Sequence, residues 1–129
     1  MREEKEYHEQ CALVEYLEIL KNQGKVVLFT AIKHNLWTKS IQQKMKQHRE
    51  GLRPGFPDLA IILRAGGKNK MIFIEMKAQK RDGGGRVSEF QEAWIKEINA
   101  CGIPIYVCHG YEEAKKIIDH ELKENNFRI

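Results

Sequence analysis

Apolar positions along the chain follow two periodicities, and the switches between them mark the elements. Over residues 2–21, Leu13, Leu17 and Leu20, flanked by Val14 and Tyr16, recur at the 3.6-residue period of an amphipathic helix. Asn22-Gln23-Gly24 reads as its stop, with Gly24 suited to a left-handed cap. Residues 25–33, KVVLFTAIK, are rich in β-branched and aromatic side chains and predict a first strand. A polar, basic stretch over 34–54 contains IQQKMKQ, which predicts a short helix, and Trp37, which is expected to pack on the sheet edge. The stiff sequence GLRPGFP then leads into Asp58. PDLAII, RAGGKN and KMIFIEMKA form two strand-length apolar segments around a Gly-rich turn, a hairpin whose two largely apolar faces predict cover on both sides. The Gly-rich, basic QKRDGGGR is expected to be a mobile loop. Residues 88–100 predict a helix with Val87, Phe90, Trp94, Ile95 and Ile98 on one face, and Ser88-x-x-Gln91 fits a capping box. After Gly102 and Pro104, residues 103–109 predict a fourth strand. Tyr111, Ala114, Ile117, Ile118 and Leu122 mark a closing helix, whose polar tail over 124–129 is expected to fray. The order is α-β-β-β-α-β-α, without repeats, so the fold class is α/β.

The hairpin carries charges where strands bury hydrophobes. Strand alternation puts Glu75 and Lys77 on one face with Met71 and Phe73, and Ile72, Ile74 and Met76 on the other. With residues 64–69 as the connection, Ile62 faces Met71, Ala60 faces Phe73 and Asp58 faces Glu75. Opposed like charges destabilise a sheet. A divalent cation on hard oxygen ligands would offset them, and Mg²⁺ is the usual choice beside phosphate. On the first helix, Glu6 projects within about 20° of the centre of the apolar stripe, Gln10 about 60° away and Glu9 about 40° to the other side. A site role and a place in the helix's first turn, where an acid suits the dipole, are both open for Glu6, and Glu9 stands as the alternative acid.

Composition narrows the class. A length of 129 residues predicts one domain over 1–129, with 42% apolar and 31% charged residues fitting a globular protein. No run of 18 apolar residues and no signal-peptide core occurs, so an intracellular, cytoplasmic location without membrane association is expected. Cys11, Cys101 and Cys108 have no paired spacing and are expected to be buried free thiols rather than disulfides or zinc ligands. The net charge of +4 is uneven. Lys39, Lys44, Lys46, Arg49 and Arg53 stand against Glu50 alone, and residues 64–86 carry seven Lys or Arg, among them Lys80, Arg81 and Arg86, against two acids. Such clusters suit a polyanionic partner. Neither a GxGxxG nor a GxxxxGK phosphate loop is present, which weighs against a hydrolase of small phosphorylated substrates.

With Asp58, Glu75-x-Lys77 and that element order, the chain resembles the PD-(D/E)xK nuclease superfamily, and within it the VRR-NUC group. The likeness runs through GFPDLAIIL, FIEMKAQK and RVSEFQEAWIKEINACGIPIYVCHGYEEAKKII. It implies a restriction-endonuclease-like αβββαβ(α) core, a mixed central sheet flanked by helices. It also implies that Asp58, Glu75 and the backbone carbonyl of Met76 bind metal, and that Lys77 is the catalytic lysine. Glu6, with Gln10 four residues on, and Gln91 are similar to the family's helix glutamate and to its later glutamine, so both join the catalytic set, with Glu6 a further candidate metal ligand. His34-Asn35 is only a loose counterpart of the family's segment after the first strand. The expected activity is phosphodiester hydrolysis by a metal-dependent DNA endonuclease selective for branched or junction DNA, in repair, recombination or phage DNA processing. Mg²⁺ is the expected cofactor, with Mn²⁺ as a substitute, and DNA the partner. The small size predicts a homodimer. One metal or two, and Lys77 as water-orienting group, charge-neutralising group or base, stay open. A non-catalytic nucleic-acid-binding module on the same fold is the alternative reading.

Overall fold

The computed structural model describes the backbone of residues 2–32 and 38–127 and the side chains of residues 4–32 and 38–123. His34, Asn35 and Trp37 lie outside the described residues. The first helix, α1 (Arg2–Asn22), turns Leu13, Leu17 and Leu20 into the core. It ends on Gly24 at φ 77°, with Lys25 N donating to Leu20 O at 2.9 Å and Gly24 N to Lys21 O at 3.0 Å. This pairing of six-to-one and five-to-two bonds is a Schellman cap, which only a left-handed residue closes without strain. Next come β1 (Val26–Ala31) and the short helix α2 (Ile41–Arg49), N-capped by Ser40.

The central hairpin is β2 (Leu59–Ala65) and β3 (Lys68–Lys77). Its register has Ile62 opposite Met71 and Ala60 opposite Phe73, as the alternation requires. The connection is shorter than the six residues expected. Arg64 pairs with Asn69 and Ala65 with Lys68, leaving Gly66-Gly67 as the turn, with φ values of 60° and 77°. Two consecutive left-handed residues match the right-handed strand twist and are open to glycine at little cost.

A 3₁₀ turn at Lys80–Asp82 leads to α3 (Glu89–Ala100), then β4 (Ile105–His109) and α4 (Tyr111–Phe127). α4 runs to Phe127, past the point at which the polar tail was expected to fray. The sheet order is β1-β2-β3-β4, with the first two pairings antiparallel and β3 parallel to β4.

Alternation sends the strands' side chains to two unequal layers. On one face Leu59, Ile61, Leu63, Ile72, Ile74 and Met76 pack with α1 and with Ala114, Ile118 and Leu122 of α4. On the other, Phe73 and Ile105 pack with Ile98, Ile95 and Trp94 of α3. Cover on this second face is incomplete, contrary to expectation. Leu28, Ile62 and Met71 are cross-strand neighbours, and Leu28 and Met71 are exposed because α3 lies over the Phe73 end of the sheet alone. Phe90, placed by periodicity on the apolar face of α3, is exposed too. All three cysteines are free, but only Cys108 is buried; Cys11 is half-buried and Cys101 exposed. Burial, with a smaller contribution from Glu113, pushes the Cys108 thiol up to about 12.

Candidate active site

Asp58 sits one residue before β2, at the end of a segment that packing holds in place. Phe56 stacks edge-on against Phe73 and Trp94 at centroid distances of 5.4 and 4.8 Å, and Trp94 Nε1 donates to Pro54 O at 2.9 Å. Gly55 has φ 86°, and a Cβ there would lie 2.6 Å from the Phe90 carbonyl carbon, so the segment abuts α3 as only glycine permits. Ile32 N donates to Asp58 O at 2.8 Å, and Met76 N donates to Asp58 Oδ2 at 2.8 Å. The N–H and C=O of one strand residue project from the same strand edge. The Met76 carbonyl therefore leaves β3 on the Asp58 side, beyond the first residue of β2.

Glu75 follows from the register: continued one residue past Leu59 opposite Ile74, it sets Asp58 against Glu75. Glu75 is 4% exposed. Its Oε2 accepts from Gln91 Nε2 at 2.8 Å and lies 3.9 Å from Lys77 Nζ, while its Oε1 is buried with no hydrogen-bond partner among the described residues. Burial first, then the Asp58 charge, push the Glu75 carboxyl up to about 8. Lys77 pulls it the other way, and Glu6 adds a smaller upward push.

Gln91 joins the structural and the chemical groups. Its Oε1 accepts from Ser88 N at 2.8 Å, and its own N–H donates to Ser88 Oγ at 3.1 Å, completing the capping box of α3. The same Oε1 accepts from Lys77 Nζ at 3.1 Å, which turns the amide nitrogen towards Glu75. Capping and site contact coexist because the first turn of α3 lies over the Glu75 and Lys77 face of β3.

The two acids of α1 separate. Glu6 lines a cavity of about 480 Å³ together with Tyr7, Gln10, Cys11, Val14, Glu15 and Asp58. Glu9 faces the start of α4, where its Oε1 accepts from Tyr111 N at 2.6 Å and its Oε2 from Gln79 Nε2 at 3.1 Å. A carboxylate at a helix N-terminus satisfies an otherwise unpaired N–H and meets the positive end of the dipole. Tyr111 is 102 positions from Glu9, a separation that no local pattern signals. His109 is a further residue that the sequence did not single out. It stands in register with Lys77, and its Nε2 is 3.2 Å from Gly85 O.

That contact bears on the glycine-rich loop, which folds back on its own start. Gly84 N donates to Gln79 O at 3.0 Å, and Lys5 Nζ contacts Asp82 Oδ1 at 3.0 Å. A Cβ at Gly84 would fall 1.8 Å from Ala78 O, so glycine here allows close backbone packing. The eight expected nucleic-acid contacts, Lys39, Lys44, Lys46, Arg49, Arg53, Lys80, Arg81 and Arg86, are all exposed. Arg53 also donates to His48 O at 2.8 Å and Leu52 O at 3.0 Å, closing the end of α2.

A family model of the VRR-NUC domain matches residues 1–112 of the chain. The chain belongs to the VRR-NUC family. VRR-NUC is a nuclease-family domain, which supports a nuclease role, and the mixed four-stranded sheet flanked by helices fits its restriction-endonuclease-like core. No curated protein and no solved structure matches the chain. Among the described residues of this VRR-NUC chain, no helix is long and apolar enough to cross a membrane. None of their His, Cys, Asp and Glu side chains gather in a group of three or more that could hold a metal ion. The donors available at the site, Asp58, Glu75 and the Met76 carbonyl, are the hard oxygens that Mg²⁺ or Mn²⁺ takes.

Proposed function

We propose that the protein is a divalent-metal-dependent DNA endonuclease. The observation that carries this reading is Glu75 Oε1, a buried carboxylate oxygen with no hydrogen-bond partner among the described residues, set beside a second carboxylate, Asp58. A buried polar atom of this kind is costly unless a ligand engages it. Asp58, Glu75 and the Met76 carbonyl would hold Mg²⁺ or Mn²⁺, with Glu6 facing the same cavity as Asp58. When bound, the ion supplies positive charge against the scissile phosphate and lowers the pKa of an attacking water. The chain's own part is positional. Lys77 Nζ, held by Gln91 Oε1 at 3.1 Å, is a cation fixed at the edge of the site, placed to orient water or offset charge on the phosphate. Gln91 keeps Lys77 and Glu75 at a set separation.

DNA is the substrate this reading favours, because both exposed basic clusters flank segments that carry site residues. Selectivity for branched or junction DNA, in repair, recombination or phage DNA processing, and action as a homodimer belong to the same proposal. The row of exposed Leu28, half-buried Ile62 and exposed Met71 offers an apolar surface for a second copy. The test is incubation of purified protein with labelled linear and four-way-junction DNA in Mg²⁺ or Mn²⁺. Cleavage that disappears in Asp58→Ala and Lys77→Ala supports the reading. Variants that cut as well as the parent overturn it, and salt-sensitive binding without cleavage or metal uptake would point to a binding module.

A further inference from the structure

Helix α2 is amphipathic the wrong way round. Its nine residues include no buried one, and it packs to no great extent on any other helix or strand among the described residues. Ile41 is 72% exposed and Met45 53%, and one turn apart they form an apolar stripe on the solvent side. Lys44, His48 and Arg49 flank it, and these five residues line a groove of about 270 Å³. Gln47 is the helix's one half-buried residue, and at 100° per residue it points about 140° away from the stripe.

Helices this short are marginal in water without tertiary packing. Ser40 caps the start, with Gln43 N donating to its Oγ at 3.2 Å, and Arg53 closes the end, but caps bury no apolar surface. The stripe therefore lacks a partner within the described fold. Its flanks choose the class of partner. From Ile41 to Arg49 there are three Lys or Arg, one His and no acid. Two copies meeting through this stripe would oppose like charges, whereas a polyanion complements them.

We propose that α2 docks against DNA through this face, with Lys44, His48 and Arg49 meeting phosphates and Ile41 and Met45 pressed against base or sugar edges. This deepens the nuclease proposal, on which it rests, by naming a base-contacting apolar element in addition to phosphate contacts. Apolar side chains of this kind serve as wedges where bases are unstacked, as they are at a branch point. Arg49 lies nine residues before Asp58, a span of at most about 30 Å. A duplex held at the site is thus within reach of the helix.

Binding, read apart from cleavage, tests the proposal. Fluorescence anisotropy would follow a labelled four-way junction and a linear duplex with the full chain carrying Asp58→Asn, over a range of salt concentrations without added metal. Ile41→Ser with Met45→Ser should weaken junction binding about tenfold and leave the salt slope unchanged, because no counterion is released by an apolar contact. Lys44→Ala with Arg49→Ala should reduce that slope by about 2. Unaltered junction affinity in the Ile41 and Met45 pair overturns the proposal, as does a parent that binds no DNA. Sedimentation velocity separates the other occupant: a change of oligomeric state in the same pair assigns the stripe to a second copy and also overturns it. Cleavage by the Asp58-bearing parent decides the nuclease reading independently.

Discussion

Gln91 Nε2 donates to Glu75 Oε2 at 2.8 Å, tying the first turn of α3 to the most buried acid of the site. Because the same side chain caps α3, its two roles separate by mutation. Ser88→Ala removes the hydroxyl that accepts from Gln91 N and should cost about 1 kcal/mol, lowering Tm by about 4 °C with cleavage retained. Gln91→Ala should cost a similar amount of stability and also lower kcat about 10- to 100-fold, since Lys77 and Glu75 lose their common bridge. Thermal melts alongside single-turnover cleavage would measure both, and equal activity in the two variants would deny Gln91 its positioning role.

Glu75 predicts an unusual pH dependence. Its folded carboxyl titrates near 8, above the ordinary value of 4.5, so between those values the unfolded chain releases a proton that the folded chain keeps. Stability from this group is full below about 4.5 and is lost as pH rises towards 8. Metal-free protein should therefore lose Tm from pH 5 to pH 8 relative to Glu75→Gln, which has no charge to bury. Mg²⁺ or Mn²⁺ should restore the parent at pH 8 and leave Glu75→Gln unmoved, with uptake of the ion releasing a proton. Parallel pH profiles for parent and variant by differential scanning fluorimetry would contradict the assignment.

Glu6 and Glu9 should fail in different ways. Glu9→Ala strips the carboxylate from Tyr111 N and Gln79 Nε2 and should destabilise by about 2 kcal/mol, with activity retained in the folded fraction. Glu6→Ala should reduce cleavage by the folded fraction. Chemical denaturation and rate measurements on the pair decide the matter, and a Glu9 variant that is stable but inactive would reverse it.

Two glycines with left-handed backbones give a further contrast. Gly24→Ala meets nothing within 4 Å and should cost about 1 kcal/mol, the left-handed penalty alone. Gly55→Ala adds a Cβ 2.6 Å from the Phe90 carbonyl carbon, so the segment before Asp58 must move away from α3. It should lose more stability than Gly24→Ala and should lose activity as well. Cleavage by Gly55→Ala at the rate of the parent would show that the approach to Asp58 tolerates displacement.

Elements whose evidence is local were legible in the chain. The Leu13, Leu17 and Leu20 stripe, the Ser88 and Gln91 cap and the alternation through Phe73, Glu75 and Lys77 are set by neighbours a few residues apart, and the structure reproduces each. Reading the hairpin turn too long had an equally local cause. Arg64 and Asn69 look like loop residues, yet cross-strand pairing, reinforced by the bond from Arg64 Nε to Asn69 Oδ1 at 3.0 Å, carries the ladder to Gly66-Gly67.

The amino-acid pattern by itself determined the α/β order, the register that opposes Asp58 to Glu75 and the basic clusters beside them, because periodicity and spacing survive in one dimension. Tertiary structure alone decided which acid of α1 turns towards Asp58 and which caps α4, why the triple glycine is a packed turn, and which way the α2 stripe faces. Each of those depends on contacts that periodicity does not carry: Tyr111 for Glu9, Ala78 O for the Cβ that Gly84 lacks, and for α2 the fact that no other element among the described residues packs extensively on it. The carboxylate hairpin was written in the chain; its bridge to Gln91 exists because α3 folds back over β3 and brings Ser88, Lys77 and Glu75 around one amide.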